Sequence, residues 1–274
     1  MVCHYCGYEE RQPKVCPSCG SKYLGGFKAG TQKIEMLVKQ RFPQARVLRM
    51  DFDTTRTKDS YEKILQAFAS QEADILIGTQ MIVKGHDFPN VTLVGVLAAD
   101  MSLHVADYHA AERTFQLLTQ AVGRAGRGQL PGQAVIQTYD PEHFAIQTAK
   151  AQDYESFYQH EIAYRKMMHY PPIWNMLLVH CMGKNEQITQ QTAQLMADKL
   201  QSAIKRSNRP VLLVGPADAT IAKVNDIYRK VLYMKAADYQ TLVALKDALE
   251  QFGKKTNAFS NVTIQFDFNP SSGF

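Results

Sequence analysis

The 274-residue sequence contains no apolar run long enough to cross a bilayer, which excludes a membrane-spanning helix. Its start, M-V-C-H-Y-C, lacks the basic region followed by an apolar one that marks a secretory signal. A reducing, cytoplasmic setting is the expectation, with cysteines that are not disulfide-bonded. After residue 19 cysteine all but disappears. Cys181, in L-L-V-H-C-M, reads as a buried strand residue without chemistry. No internal repeat or low-complexity tract occurs. A large charge of one sign is also missing: the net +5 admits an acidic partner such as nucleic acid, but reads first as a solvated surface. Neither G-x-x-x-x-G-K-[ST] nor a D-E-x-H-type acidic motif is present. The phosphate cradle and magnesium carboxylate of a nucleoside-triphosphatase are therefore missing, and the chain alone is predicted not to turn over nucleotide.

What is present suits a soluble globular protein, 45% hydrophobic and 21% charged, long enough for two domains. Four of the five cysteines crowd the first nineteen residues as two C-x-x-C pairs, Cys3/Cys6 and Cys16/Cys19, each followed by a glycine. Four soft thiolates on two tight turns predict tetrahedral zinc. The gap between the pairs is short for a self-contained ribbon. His4 is expected to be exposed and not a ligand.

Residues 23–140 alternate amphipathic helices with short apolar strands. A helix capped by Thr31 carries Ile34, Leu37, Val38 and Phe42 on one face. Strand 46–50 and loop 51–55 follow. A second helix is capped by Asp59 or Ser60, with Ile64, Leu65 and Phe68 inward. Strand 74–78, loop 79–89, strand 91–98 ending at Asp100, a helix capped near Asp107 and running to Val122, and strand 133–138 complete the section. Continuous apolar strands between amphipathic helices predict an α/β, doubly wound parallel sheet covered on both faces, with ligands at strand ends. Residues 141–172 read as a helical connector packed through Tyr154, Phe157, Ile162, Met167 and Met168, and ended by Tyr170-Pro171-Pro172. Residues 173–274 show a β-α-β-β-α-β, ferredoxin-like order: strand 174–182, helix 186–206, strand 211–214 with a turn at Gly215-Pro216, strand 228–235, helix 239–252 capped by Asp238 and stopped by Gly253, and strand 262–268.

The chemistry concentrates between Asp74 and Arg127. Loop 79–89 carries Lys84, Gly85, His86 and Asp87 after an apolar strand. Arg124 and Arg127 lie at a helix end in G-R-A-G-R, where small neighbours leave room for the guanidinium groups to approach a phosphate. Two arginines alone would read as a basic helix terminus favoured by the helix dipole. Their ordered pairing with G-T-Q-x-x-x-K-G-x-D-F reverses that.

G-T-Q-M-I-V-K-G-H-D-F-P-N-V resembles motif V of superfamily 2 helicases, and Q-A-V-G-R-A-G-R resembles motif VI. With the upstream C-x-x-C pairs, A-G-T-Q-K, Y-P-P and the F-D-F-N-P ending, essentially the whole chain resembles the PriA family of primosomal replication-restart helicases (primosomal protein N′). The resemblance is to the C-terminal part, beginning inside the zinc module. It implies a partial zinc segment, a second RecA-like lobe lacking its first strand, and a DNA-binding C-terminal domain. It makes Gln120, Arg124 and Arg127 the residues facing ATP, with Arg127 as arginine finger. Gly78, Thr79, Gln80, Gly85 and Asp87 would line the ATP and DNA side of the cleft. Lys84, Lys223, Tyr228, Arg229 and Lys230 would contact DNA, although an ordinary hairpin with outward lysines fits the last four equally well. The intact protein would use ATP and Mg2+ for 3′→5′ unwinding at stalled forks. Its partners would be forked or junction DNA, primosome proteins and single-strand-binding proteins, in a nucleoid-associated setting without membrane contact. A free-standing DNA-binding or adaptor protein with an inactive helicase lobe is the competing reading.

The family carries four cysteine pairs, whereas this chain has the last two. The family pairing, first with fourth and second with third, would assign Cys3/Cys6 and Cys16/Cys19 to different zincs. In this chain they either share one zinc or stay empty. Zinc quantitation on the purified chain decides: a stable four-cysteine site requires about one equivalent, and less than about half an equivalent sinks it.

Overall fold

A computed structural model of the chain describes residues 11, 14–15, 20–22, 29–57, 59–83, 88–105 and 107–271. All four N-terminal cysteines lie outside the described residues. Two compact units form: Tyr23–Val105 with Ala110–Phe157, and Tyr158–Phe274 together with Ala106–His109. Among the described residues no helix is long and apolar enough to cross a membrane.

The first unit alternates as its hydrophobic periods dictate. Its elements are α1 (Thr31–Arg41), β1 (Val47–Met50), α2 (Ser60–Ala69), β2 (Ile75–Gly78), a 3₁₀ turn (Gln80–Val83), β3 (Leu93–Val96), α3 (Asp100–Leu103), α4 (Ala110–Val122), β4 (Gln133–Ile136) and α5 (Phe144–Ala151). The strands pair in parallel, but as two separate two-stranded sheets: β1 with β2 (Val47 opposite Ile75) and β3 with β4 (Leu93 opposite Gln133). This corrects the expectation of one continuous sheet covered on both faces. The strands are four residues long, and burial along β3 and β4 alternates. Leu93 and Val135 are 61% and 52% exposed, so among the described residues one face has no cover. The other face meets the core, where Phe115 and Leu118 of α4 pack with Ala99, Leu103, Ala145, Ile146, Ala149 and Phe157. Asp100, buried at the start of α3, accepts bonds from Thr138 Oγ1 (2.8 Å) and the Tyr139 amide (3.1 Å) and ties β3 to β4.

Three local expectations change. Gly30, not Thr31, occupies the cap of α1, and the Thr31 hydroxyl donates instead to Asp51 (2.5 Å). Asp59 holds the cap position of α2 in the left-handed region, without a side-chain cap bond. No residue of α1 is fully buried: Ile34 and Val38 are half-buried where α1 packs on β1 and β2, whereas Leu37 and the following Phe42 are exposed.

The stretch 141–172 read as a connector is helical as two elements, α5 and then α6 (Tyr154–Met167). Phe157 is buried and stacks on Phe115 at 4.1 Å. Tyr154, Met167 and Met168 are exposed, against the expectation that they pack, since α6 buries one narrow stripe containing Phe157, Glu161 and Arg165. Arg165 Nε bonds Glu161 Oε1 at 2.7 Å and its Nη1 bonds the Pro171 carbonyl.

The second unit runs β5 (Asn175–Gly183), α7 (Glu186–Ser207), β6 (Val211–Val224), β7 (Ile227–Ala236), α8 (Tyr239–Thr256) and β8 (Thr263–Phe268). The antiparallel sheet has the order β6-β7-β5-β8. Central β5 reads apolar at nearly every position because both faces are covered. Leu177, Val179 and Cys181 pack with α7 and α8 through Met196, Leu200, Leu242 and Leu249. Met176 and Leu178 face Tyr108 and Tyr170. Cys181 is buried as expected, and burial pushes its thiol up to about 12. Two boundaries differ. β6 continues past Gly215-Pro216 to Val224, because the register irregularity there is absorbed within the ladder to β7. Gly253 does not stop α8; a side chain there would strike the Phe259 ring, so glycine serves packing, and the helix runs to Thr256.

Lys235 is buried on the Tyr170 side of this sheet. Its ammonium lies 3.4 Å from the Tyr170 ring centroid and donates to the Met168 carbonyl (3.1 Å). Burial pushes its pKa down to about 8. Unfolding restores the ordinary value near 10.5, so between those values the unfolded chain holds a proton that the folded chain lacks. Stability therefore rises with pH across that window. Relative to Lys235→Met, the wild-type chain should gain on the order of 1 kcal/mol in urea unfolding between pH 8 and pH 10.

Candidate functional site

Parallel strands β1 and β2 end side by side, with Met50 opposite Gly78. A Cβ at Gly78 would lie 2.6 Å from the Met50 carbonyl oxygen and 2.6 Å from Ile82 Cγ2, so only glycine permits this close approach. Thr79 and Gln80 follow, exposed at the strand end, and the Ile82 amide bonds the Thr79 carbonyl as the 3₁₀ turn begins. That turn packs against α4. Lys84, Gly85, His86 and Asp87 lie outside the described residues.

Beside this strand end sits a charged group that sequence reasoning missed. Asp51 is buried and accepts from Thr31 Oγ1 and the Thr54 amide (3.0 Å). Arg49 Nε lies 3.4 Å from Asp51 and 3.3 Å from Glu35. The Thr31 hydrogen bond is the main reason that the Asp51 carboxyl stays below its ordinary pKa. Alternation along β1 would have put Arg49 on one face, but nothing local signals Glu35 or Asp51 as its partners.

The arginine pair sits where α4 ends. Amides of Gly123, Arg124 and Ala125 bond carbonyls of Thr119, Ala121 and Val122, tightening the last turn. Gln120 lies exposed on the final turn of the helix. Arg127 is exposed, and its Nε donates to the Gly123 carbonyl (2.6 Å), as suits a cation at a helix C-terminus. Between the arginines, Gly126 takes φ +74° and its amide donates to the Val91 carbonyl (2.9 Å). A Cβ at Gly126 would come within 2.5 Å of the Gly132 nitrogen, and one at Gly128 would strike the Pro89 carbonyl. The arginine turn is thus held, backbone against backbone, on Pro89–Val91, the stretch that follows loop 84–87.

The second candidate region is the β6–β7 hairpin. Asn225 and Asp226 both have left-handed φ (47° and 61°), the geometry of a two-residue turn between Val224 and Ile227. Lys223 faces Tyr228 across the ladder, 4.8 Å from its ring centroid, and bonds Asp226 Oδ1 at 2.9 Å. Lys230 bonds Asp218 at 2.6 Å and its side chain is only 12% exposed. Strand alternation separates the set. Tyr228 and Lys230 stand opposite Gly183 and Cys181, whereas Arg229 stands opposite Met182 on the other face, near His180. The four residues therefore do not form one cationic patch. Burial, and then the Arg229 charge, lower the His180 pKa.

Residues 26–129 match the helicase conserved C-terminal domain, and residues 166–271 match the primosomal protein N C-terminal domain. The chain is 45% identical over 271 residues to the replication restart protein PriA of Bacillus subtilis (strain 168), covering 98% of this chain and 33% of that protein. The Synechocystis PriA is 42% identical over 272 residues, covering 99% and 32%, and that of Chlamydia pneumoniae is 40% identical over 239 residues, covering 86% and 32%. The chain matches the C-terminal part of the PriA family. It spans about a third of the length of the curated relatives that it matches. The helicase-domain match takes in Gly78–Gln80 and the Gly123–Arg127 turn, while the PriA C-terminal match takes in the hairpin with Lys223 to Lys230.

The glycine contact is open to direct measurement. Gly126→Ala forces a left-handed alanine against the Gly132 backbone and should cost about 2 kcal/mol or more. Gly95, with open space around its Cβ position, is the control, and Gly95→Ala should leave the urea midpoint unchanged.

Proposed function

We propose that this chain contributes one wall of an ATP site and a DNA-binding C-terminal domain to a replication-restart helicase. The intact protein would unwind 3′→5′ at stalled forks and take part in primosome assembly. The observation that carries this reading is the Gly126–Val91 contact, which joins the end of the motif V segment to the turn bearing Arg124 and Arg127. Arg127 would act as the arginine finger, stabilising charge that builds on the transferred phosphoryl oxygens. Arg124 and Gln120 would orient the same group. Gly78, Thr79 and Gln80, with Gly85 and Asp87, would border nucleotide and DNA. The nucleotide's phosphate cradle and Mg2+ ligand would come from a lobe that is not in this sequence.

The remaining assignments belong to the same reading. Cys3, Cys6, Cys16 and Cys19 suit zinc by spacing and softness. Residues 1–22 would be part of a zinc module, 23–140 a RecA-like second lobe without its first strand, 141–172 a connector, and 173–274 a ferredoxin-like domain. The sheet order β6-β7-β5-β8 supports that last name. Exposed Lys223, with Arg229 on the opposite face, would meet phosphate, and Tyr228 would offer a stacking surface. Forked DNA, primosome proteins and single-strand-binding proteins are the proposed partners, in a cytoplasmic, nucleoid-associated setting.

In the full-length protein that carries this chain, Arg127→Ala should abolish ATP hydrolysis, a loss of about 10³-fold or more, and leave fork affinity intact. Retained turnover would remove Arg127 from the site. An adaptor with an inactive lobe would instead show no turnover in the wild type.

A further inference from the structure

β1 ends at Met50, and the residues that follow, D-F-D-T-T-R, form a loop built around Asp51. The Asp51 amide donates to Thr54 Oγ1 (2.9 Å), and its buried carboxylate accepts from the Thr54 amide (3.0 Å) and the Thr31 hydroxyl. Its carbonyl accepts from the amide (3.1 Å) and the hydroxyl (2.7 Å) of Thr55. What this fixed loop displays is an aromatic ring: Phe52 is 72% exposed. Burial of a phenylalanine stabilises a fold, so a well-held loop that keeps one in water forgoes that gain. The Arg56 guanidinium lies 5.1 Å from the Phe52 ring centroid and bonds Asp53 at 3.1 Å, and both members of that ion pair are more than half exposed.

Met50 stands opposite Gly78, so the Phe52 loop and Thr79–Gln80 leave neighbouring parallel strands at the same end. Such strands lie about 4.8 Å apart, and their C-terminal ends are where parallel sheets take their ligands. Tyr139, just past β4, supplies the contrast. It is 90% exposed, and its amide is likewise held by a buried carboxylate, that of Asp100. Yet Asp140 and Glu142 follow it, and among the described residues no cation lies over its ring. Exposure alone therefore does not set Phe52 apart; the ring together with its guanidinium does.

An exposed guanidinium–carboxylate pair contributes little and yields readily to a polyanion. Released from Asp53, Arg56 neutralises a phosphate beside the ring, and the open side of the ring receives a flat base. Duplex DNA keeps its base faces stacked against one another, whereas a single strand offers base and phosphate together. We propose that Phe52 and Arg56 form a stacking site for one nucleotide of single-stranded DNA, with the base on the ring and its phosphate on the guanidinium. The site rests on, and deepens, the reading that Gly78–Gln80 border DNA: it names the form of the nucleic acid and the residues that grip it. A phenyl ring has no hydrogen-bonding edge, so the site accepts any base.

The test uses the 274-residue chain, a labelled oligothymidylate of about 20 nucleotides, and an abasic strand of the same length, with affinity read by fluorescence anisotropy across a salt series. Phe52→Ala should lose about fivefold or more in affinity for oligothymidylate, and Phe52→Tyr, which keeps the ring, should stay within about twofold of wild type. The abasic strand should bind wild type and Phe52→Ala alike. Arg56→Ala should weaken both strands and lower the slope of log affinity against log salt by roughly 0.7. Tyr139→Ala, which removes an exposed ring without a cation, should change neither. Unchanged affinity in Phe52→Ala, or an equal loss on the abasic strand, overturns the proposal. If Phe52→Ala binds as wild type while Lys223→Ala is weakened, this site fails and the DNA-contact reading of the hairpin stands. A wild-type chain that binds neither strand overturns both. A measurement without variants reads the same contact: oligothymidylate should shift the Phe52 and Arg56 amide resonances of the wild-type chain more than the abasic strand does, and equal or absent shifts overturn the stacking.

Discussion

The hydrogen bond from the Gly126 amide to the Val91 carbonyl is the contact on which the candidate site depends. A backbone hydrogen bond contributes only about 1 kcal/mol net, so its importance here is geometric. It closes in a space that bare backbone alone can enter. Gly126 and Gly132 meet main chain to main chain, and Gly128 lies against Pro89. Arg124 and Arg127 flank Gly126 in sequence, so wherever this contact holds the turn, both guanidinium stems leave from a fixed base. The sequence spends its small residues at these points because arginines cannot be aimed by their own flexible side chains. They are aimed by the peptide that carries them.

Legibility followed the range of the interaction. Long elements were plain in the pattern: β5 is apolar at nearly every position because both of its faces are covered, and α7 and α8 carry the spacing of one buried stripe. The four-residue strands were placed but misread in context. Their apolar composition suggested cover on both faces, whereas Leu93 and Val135 stand open. Within the site, G-R-A-G-R announced a special turn, but Val91 and Gly132 as its partners are set by tertiary approach. Arg49, Glu35 and Asp51 came together in the same way, from a helix, a strand and a strand end. Gly253 shows the opposite error: a residue usually read as a helix stop is there because Phe259 needs the room.

The first unit also leaves a good deal of apolar surface in water. α1 buries none of its residues, and Met36, Leu37 and Phe42 are each about half exposed. At roughly 25 cal/mol for each Å² of apolar area, such faces favour being covered. In the second unit the inner strands are covered on both faces by separate clusters, while Leu212, Ile221 and Val224 of β6 are exposed. Arg165, Tyr108, Tyr170 and Lys235 stack on one face of that sheet.

The β6–β7 hairpin shows how charge on this sheet is tuned. Lys230 and Asp218 neutralise one another with Lys230 mostly shielded from water, so releasing that lysine to a phosphate would leave a half-exposed carboxylate behind. Lys223 and Asp226 are more exposed, and an exposed pair is worth little and weakens with salt. A polyanion approaching the turn would therefore take Lys223 from Asp226 at small cost. It would find Tyr228 on the ring side of that lysine, and would leave the Lys230 pair intact. Arg229, projecting from the other face, cannot join the same contact without a second strand of nucleic acid or a second segment of protein. The alternation of β7 thus divides one basic run into a contact that yields readily, an ion pair that resists release, and an arginine reserved for the opposite face.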